Sequence, residues 1–132
     1  AGTQSAGNII EKYSFTVDGN STDVGDLTVG REHCMGQSSE THGYTSGGYP
    51  STRNIIDKFT FSSDANATDV GNLFLGRHGG SGQSSTTHGY TSGGYSSTYL
   101  DVIDKFTFAS DANATDAGDL TVARAYTAGT QH

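Results

Sequence analysis

The sequence has no tryptophan, one proline, one cysteine and few large aliphatic side chains. Hydrophobic residues make up 32% of its 132 residues, whereas glycine alone supplies 19. This is too little apolar bulk for a conventional two-layer α/β core, and it suits thin β-layers that pack through small residues and aromatic rings. The single cysteine, Cys34, excludes an intrachain disulfide framework.

Positive charge is also scarce, since 7 Lys and Arg stand against 14 Asp and Glu and give a net charge of −7. An acidic surface repels a phosphate backbone, so we expect no nucleic-acid partner. No apolar run approaches the roughly 20 residues of a membrane-spanning helix, so we expect no membrane partner. The first residues have neither the basic nor the apolar region of a signal peptide.

The chain is a tandem array. The nonapeptide Thr-His-Gly-Tyr-Thr-Ser-Gly-Gly-Tyr occurs at residues 41–49 and again, unchanged, at 87–95. A second anchor, Ile-(Asp/Glu)-Lys followed by aromatic residues, begins at residues 10, 56 and 103. The spacing of 46 and then 47 residues predicts one supersecondary unit per repeat, so residues 1–132 are interpreted as a single array of three units.

Each unit is predicted to form four short β-strands. Apolar residues alternate with polar ones along the anchors, and Gly, Asn, Asp and Ser fill the joints between them, as turns require. No segment has a sustained apolar stripe with the helical period. In the central unit the predicted strands are Gly36–Ser39, His42–Gly47, Ile55–Phe61 and Leu73–Arg77.

The repeat resembles the kelch repeat of β-propellers. A Tyr-x-x-Gly-Gly doublet (Tyr44 to Gly48, Tyr90 to Gly94) is followed by a variable loop, an Ile-Asp-Lys-Phe strand, a polar turn and a short apolar segment ending in Arg. The likeness covers nearly the whole chain and extends to kelch-like arrays of phage or environmental origin, which implies a place on a virion or outside a cell. Kelch blades usually carry a Trp that this chain lacks, so their detailed packing is not carried over.

The resemblance implies an all-β fold of propeller blades, each of four antiparallel strands. The third unit stops where its Thr-His-Gly-Tyr would begin, so we expect the N- and C-terminal segments to share a blade. Three blades cannot close a ring, because propellers typically have four to eight. The expected partner is therefore a second copy of the chain, which completes a six-bladed ring as a homodimer.

The polar turn between the third and fourth predicted strands places oxygen-bearing side chains at alternate positions. Such a loop could surround Ca²⁺, although it lacks the last glutamate of an EF-hand. The alternative is a turn whose side chains cap its own backbone. The candidate calcium ligands are Asp64, Asn66, Asp69, Asp111, Asn113 and Asp116. No cofactor and no catalytic residue is predicted.

Three further sets of residues are candidate ligand-binding groups. The arginines share the parity of the apolar residues before them, so they should point inward, either toward an anionic ligand or toward carbonyls and an Asp of the next blade. The histidines could bind a metal or form structural hydrogen bonds. The tyrosines suit sugar or protein recognition. These residues are Arg31, Arg77, Arg124, His42, His88, Tyr49, Tyr95 and Tyr99.

Enzyme signatures are absent from the sequence: it contains no nucleophile elbow, P-loop or dinucleotide fingerprint. We therefore expect a non-enzymatic structural or binding module. The alternatives are a carbohydrate-binding, lectin-like propeller with repeated pockets between blades, and a fibre or solenoid protein that has the repeats without the ring.

Overall fold

A computed structural model describes residues 6–51 and 53–131 of the chain, and these residues form an all-β structure of ten strands. The described part contains no helix, and so none that is long and apolar enough to span a membrane. The strands are β1 Ile9–Lys12, β2 Thr22–Asp26, β3 Met35–Ser38, β4 His42–Ser46, β5 Ile55–Thr60, β6 Thr68–Asn72, β7 Ser81–Ser84, β8 His88–Ser92, β9 Val102–Thr107 and β10 Thr115–Asp119.

The strands form three antiparallel sheets that follow the sequence repeat. A two-stranded sheet contains β1 and β2, and two four-stranded sheets have the orders β3-β4-β5-β6 and β7-β8-β9-β10. The two larger sheets have the same register: Tyr44 lies opposite Lys58, and Tyr90 lies opposite Lys105. The two-stranded sheet corresponds to the last two strands of a larger sheet, because β1 carries the anchor that β5 and β9 also carry.

Three of the four strands predicted for the central unit are confirmed to within one residue at each end. The fourth is wrong: the outer strand is β6, Thr68–Asn72, within the segment predicted to be a polar turn. Leu73–Arg77 is instead an irregular segment that runs back across the sheet toward β7. An outer strand has one neighbour and little burial, so it needs no apolar face, and the alternating Leu73, Leu75 and Arg77 belong to the return segment.

The glycine doublet makes room for this return segment. Gly48 N–H donates to the carbonyl of Arg77 over 2.9 Å, and Gly47 has a φ of 64°. A Cβ on Gly47 would lie 2.5 Å from the Arg77 carbonyl oxygen, and one on Gly48 would lie 3.1 Å from the Arg31 side chain. Since the second larger sheet repeats this arrangement at Gly93 and Gly94, the doublet is explained by close packing.

The apolar core lies between the two four-stranded sheets. Ile56 is fully buried there, and Tyr44 from the first sheet packs against Phe106 from the second. The innermost strands β3 and β7 lie side by side, and Ser38 N–H donates to Ser84 Oγ over 2.9 Å. The core cluster consists of Met35, Tyr44, Ile56, Leu73, Phe106 and Ala114.

The C-terminal segment lies beside β7, where Ser84 N–H donates to Gln131 Oε1 over 2.6 Å. An equivalent hydrogen bond joins Ser38 of β3 to Ser84 of β7. The C-terminal segment therefore lies beside β7 in the same way that β7 lies beside β3. Residues 1–5 and His132, on which part of the expectation of a shared blade falls, lie outside the described residues.

Candidate functional site

Neighbouring sheets meet at two junctions with the same chemistry. The first junction joins the two-stranded sheet to the sheet β3–β6, and the second joins that sheet to β7–β10. At the first junction Arg31 Nη2 lies 2.8 Å from Asp57 Oδ2, and both side chains are fully buried. Arg31 also donates to the carbonyls of Thr45 and Ile55, over 3.1 and 3.4 Å.

The second junction repeats this ion pair 46 residues later. Arg77 Nη2 lies 2.8 Å from Asp104 Oδ1, again with both side chains fully buried, and donates to the Thr91 carbonyl over 3.3 Å. Asp104 also accepts the backbone N–H of Phe74 over 2.8 Å. Arg31 and Arg77 therefore point inward, as the sequence indicated, and each joins one sheet to the next. Arg124 is exposed, and its Nε donates to the Val122 carbonyl over 3.3 Å.

Four of the candidate calcium ligands also lie at the junctions. Asp64 accepts a hydrogen bond from Lys12 over 2.7 Å, and Asp111 forms the equivalent ion pair with Lys58. The side-chain oxygens of Asn66 and Asn113 each accept a backbone N–H of the preceding sheet over 3.0 Å, from Asp26 and Asn72 respectively.

The remaining two candidates cap turns within their own strand. Asp69 accepts the N–H of Gly71 over 3.1 Å, and Asp116 accepts that of Gly118 over 2.9 Å. In the part of the chain that the structure describes, no group of three or more His, Cys, Asp or Glu side chains is arranged to hold a metal ion. The oxygens of the repeated turn thus have backbone or lysine partners, most of them in the neighbouring sheet.

The two histidines of the nonapeptide have the same local role. The Nδ1 of His42 lies 2.8 Å from the Thr41 hydroxyl, and that of His88 lies 2.8 Å from the Thr87 hydroxyl. Each histidine also lies near the tyrosine two residues later, with ring centroids 6.5 and 6.4 Å apart. The structure places them on separate sheets at the starts of β4 and β8.

Two of the three candidate tyrosines, Tyr49 and Tyr95, pack against His78, a residue that was not among the sequence-based candidates. His78 is 8% exposed, and its ring centroid lies 5.4 Å from that of Tyr49 and 5.6 Å from that of Tyr95. Tyr99 lies 5.6 Å from Tyr95. His33 and Tyr126 complete this aromatic cluster, each 6.2 Å from His78.

The missed residues had no periodic signal in the sequence. His33 and Tyr126 occupy one repeat position, where Gly79 stands in the second unit, and all three have a positive φ of 55°, 57° and 65°. Because this position varies between units, the sequence did not connect it with the tyrosine loops. A backbone bridge between His78 and Tyr95, with hydrogen bonds of 3.1 and 2.8 Å, holds the loop in place.

We predict a pH dependence of stability from His78. Burial, with His33 nearby, lowers the pKa of His78 from its ordinary 6.5, so the unfolded chain takes up a proton at a pH where the folded chain does not. The contribution of His78 to the free energy of unfolding is therefore complete above pH 6.5 and falls as the pH decreases through that value. The melting temperature of His78→Gln should fall less than that of the parent between about pH 7.5 and pH 5.5. An unchanged pH dependence would contradict this; His88→Gln is the control.

In the part of the chain that the structure describes, the two ends of the array carry the residue types of a junction without its ion pairs. The C-terminal end face carries Lys105 and Arg124, which correspond to Lys58 and Arg77. The N-terminal end face carries Glu11, which corresponds to Asp57 and Asp104, and Asp18, which corresponds to Asp64 and Asp111. Other residues complete the faces: Tyr90, Gly118 and Asp119 on the C-terminal one, and Phe15, Gly19 and Asn20 on the N-terminal one.

The glycines of the end faces show how the faces differ from the junctions. Gly71 is in close contact with the backbone of Ala112 across the second junction. Gly118 and Gly19 hold the corresponding positions on the two end faces, and a Cβ on either would meet nothing within 4 Å. Phe15, which corresponds to the half-buried Phe108, is 93% exposed.

No protein-family model matches the chain, and no curated protein matches it significantly.

Proposed function

We propose that this chain is a non-enzymatic structural module of kelch-like propeller repeats whose end faces bind a second copy of the chain. The observation that supports this function is the agreement between the two junctions. Both use an Arg–Asp pair, a Lys–Asp pair and an Asn that accepts a backbone N–H, and the end faces carry the same residue types without these ion pairs within the described residues. A tail-to-head contact would repeat the junction a third time.

The contact would pair residues that already have equivalents inside the chain. Arg124 would meet Glu11 of the second copy, Lys105 would meet its Asp18, and Tyr90 would cover its Phe15. Two such contacts related by a two-fold axis close a ring of six sheet positions, and contacts that do not close form a filament. In this proposal the C-terminal end face of one copy binds the N-terminal end face of another, and the buried charge pairs provide specificity.

A charge swap tests the association. Sedimentation velocity on the parent chain should show concentration-dependent association. Arg124→Glu alone and Glu11→Arg alone should each weaken it by about 30-fold or more, because each brings like charges together in a desolvated contact. An equimolar mixture of the two variants should restore it, since both contacts of a mixed dimer then pair Glu with Arg.

The mixture is its own control for folding, because each variant protein is present in both experiments. A parent chain that stays monomeric up to about 1 mM would overturn the proposal. A mixture that associates no better than its separate components would also overturn it, since the assigned pairing would then be wrong.

A further inference from the structure

Among the described residues, no strand covers the inner edge of the two-stranded sheet, whereas a strand covers that edge in the two larger sheets. In those sheets β5 pairs with β4, and β9 pairs with β8. Within the described residues, β1 pairs with β2 alone. An unpaired strand edge presents backbone N–H and C=O groups to any extended chain that fits beside it.

An apolar cavity of about 230 Å³ lies at this vacant strand position. Its walls come from the two-stranded sheet and from the sheet that follows it, and they include Ile10, Lys12, Tyr13, Phe59 and Phe61. Tyr13 and Phe61 are 62% and 52% exposed, so large aromatic surface remains open to solvent. We call this cavity together with the free edge of β1 the acceptor groove.

The second junction shows what fills the equivalent space. There Tyr44 of β4 packs against the ring of Phe108, with centroids 4.9 Å apart, and against that of Phe106, with centroids 5.5 Å apart. Phe59 and Phe61 are the equivalents of Phe106 and Phe108 one repeat earlier. The acceptor groove thus lacks the tyrosine that the second junction has.

The residue before that tyrosine is restricted as well. Gly43 lies opposite Phe59, and Gly89 lies opposite Phe106. A Cβ on either glycine would overlap the phenylalanine ring of its own sheet. Tyr13 directly follows β1 and corresponds to Phe59 in the repeat, so we expect a strand seated on β1 to need glycine opposite Tyr13.

We propose that the acceptor groove binds an extended strand of a partner polypeptide with the chemistry of β4: glycine, then an aromatic residue, then small hydroxyl residues. The strand would add to β1 antiparallel, with its tyrosine opposite Lys12 and its ring against Phe59 and Phe61. Backbone hydrogen bonds supply affinity, and the glycine and the aromatic residue supply specificity. The groove is formed within one copy, so this site does not rest on the proposed association of copies.

A synthetic peptide of residues 39–49 is the probe. Its fluorescein-labelled form should bind the Arg124→Glu protein, which keeps the groove but has the altered end face, as measured by fluorescence anisotropy. Peptides with Tyr→Ala at the position of Tyr44, or Gly→Ala at that of Gly43, should bind at least about tenfold more weakly. Hydrogen exchange at the amides of β1 should slow when the unmodified peptide is bound.

Protein variants locate the site. Phe61→Ala should weaken peptide binding at least about tenfold while the far-ultraviolet spectrum stays unchanged, because the ring is half exposed. Phe74→Ala is the matched control, since its ring is 64% exposed outside the groove, and binding should not change. Absence of binding up to about 1 mM peptide, equal binding of the glycine-substituted peptide, or equal losses in the two protein variants would each overturn the proposal.

Discussion

Replacing Arg77 by methionine is expected to lower the free energy of unfolding by about 3–5 kcal/mol, the usual cost of removing one partner of a buried ion pair. Arg77 and Asp104 are both fully buried, and their charged atoms lie 2.8 Å apart. Without Arg77, the Asp104 carboxylate keeps the Phe74 N–H over 2.8 Å and loses its counter-charge. Since domains are stable by about 5–15 kcal/mol in total, this is a large share.

The array contains its own control for this substitution. Arg124 stands at the same repeat position and is exposed. Arg124→Met should change the free energy of unfolding by no more than about 0.5 kcal/mol, the range of ordinary surface substitutions. Both free energies of unfolding should be measured by urea denaturation of dilute protein, at concentrations where copies do not associate. Equal losses for the two variants would contradict a junction role for Arg77.

The ion pair also favours one register between neighbouring sheets. A buried pair adds little net stability over apolar residues of the same volume, but a mispaired arrangement leaves a charge buried and alone. Each junction has one such pair, and each pair joins a return segment to the third strand of the next sheet. Because every unit carries the same pair, the penalty falls on a shifted register between neighbouring sheets and not on a wrong order of units.

Residue patterns predicted the local structure well where strands are central. β4 and β5 lie between two neighbours, and their alternation of polar and apolar residues was sufficient to place them. β6 was missed because an edge strand of the composition Thr-Asp-Val-Gly-Asn has the residues of a turn. A register shift between Ile56 and Asp57 also buries two consecutive residues, which strict alternation does not predict.

The partners of the candidate site residues were harder to predict. Asn66 and Asp64 suggested a local calcium loop, but their partners Asp26 and Lys12 lie 40 and 52 positions away. A pattern within one unit cannot show which group of the neighbouring unit completes it. The acid at Glu11, Asp57 and Asp104 did recur with the arginines, and that recurrence was the available signal for the ion pairs.

Replacing Tyr44 by alanine is expected to cost about 3–5 kcal/mol, as for other large buried aromatic residues. Tyr44 is 4% exposed, and its ring stacks on that of Phe108 with centroids 4.9 Å apart. The substitution removes the main aromatic contact between the two four-stranded sheets, and the rigid sheets on both sides would leave a cavity. Circular dichroism during urea denaturation measures the loss.

Tyr90 is the control, because it is the same residue in the same strand position of the next sheet. Its ring is only half-buried. No described residue takes the position beside Tyr90 that Phe106 and Phe108 take beside Tyr44. Tyr90→Ala should therefore cost about 1–2 kcal/mol in dilute protein, a typical value for partly buried residues. If copies associate as proposed, the two variants should differ less at high concentration, because Tyr90 then gains the contact that Tyr44 already has. Equal costs in dilute protein would show that both tyrosines stabilise the chain through contacts within their own sheet. That result would contradict a stabilising role for the contact of Tyr44 with the neighbouring sheet.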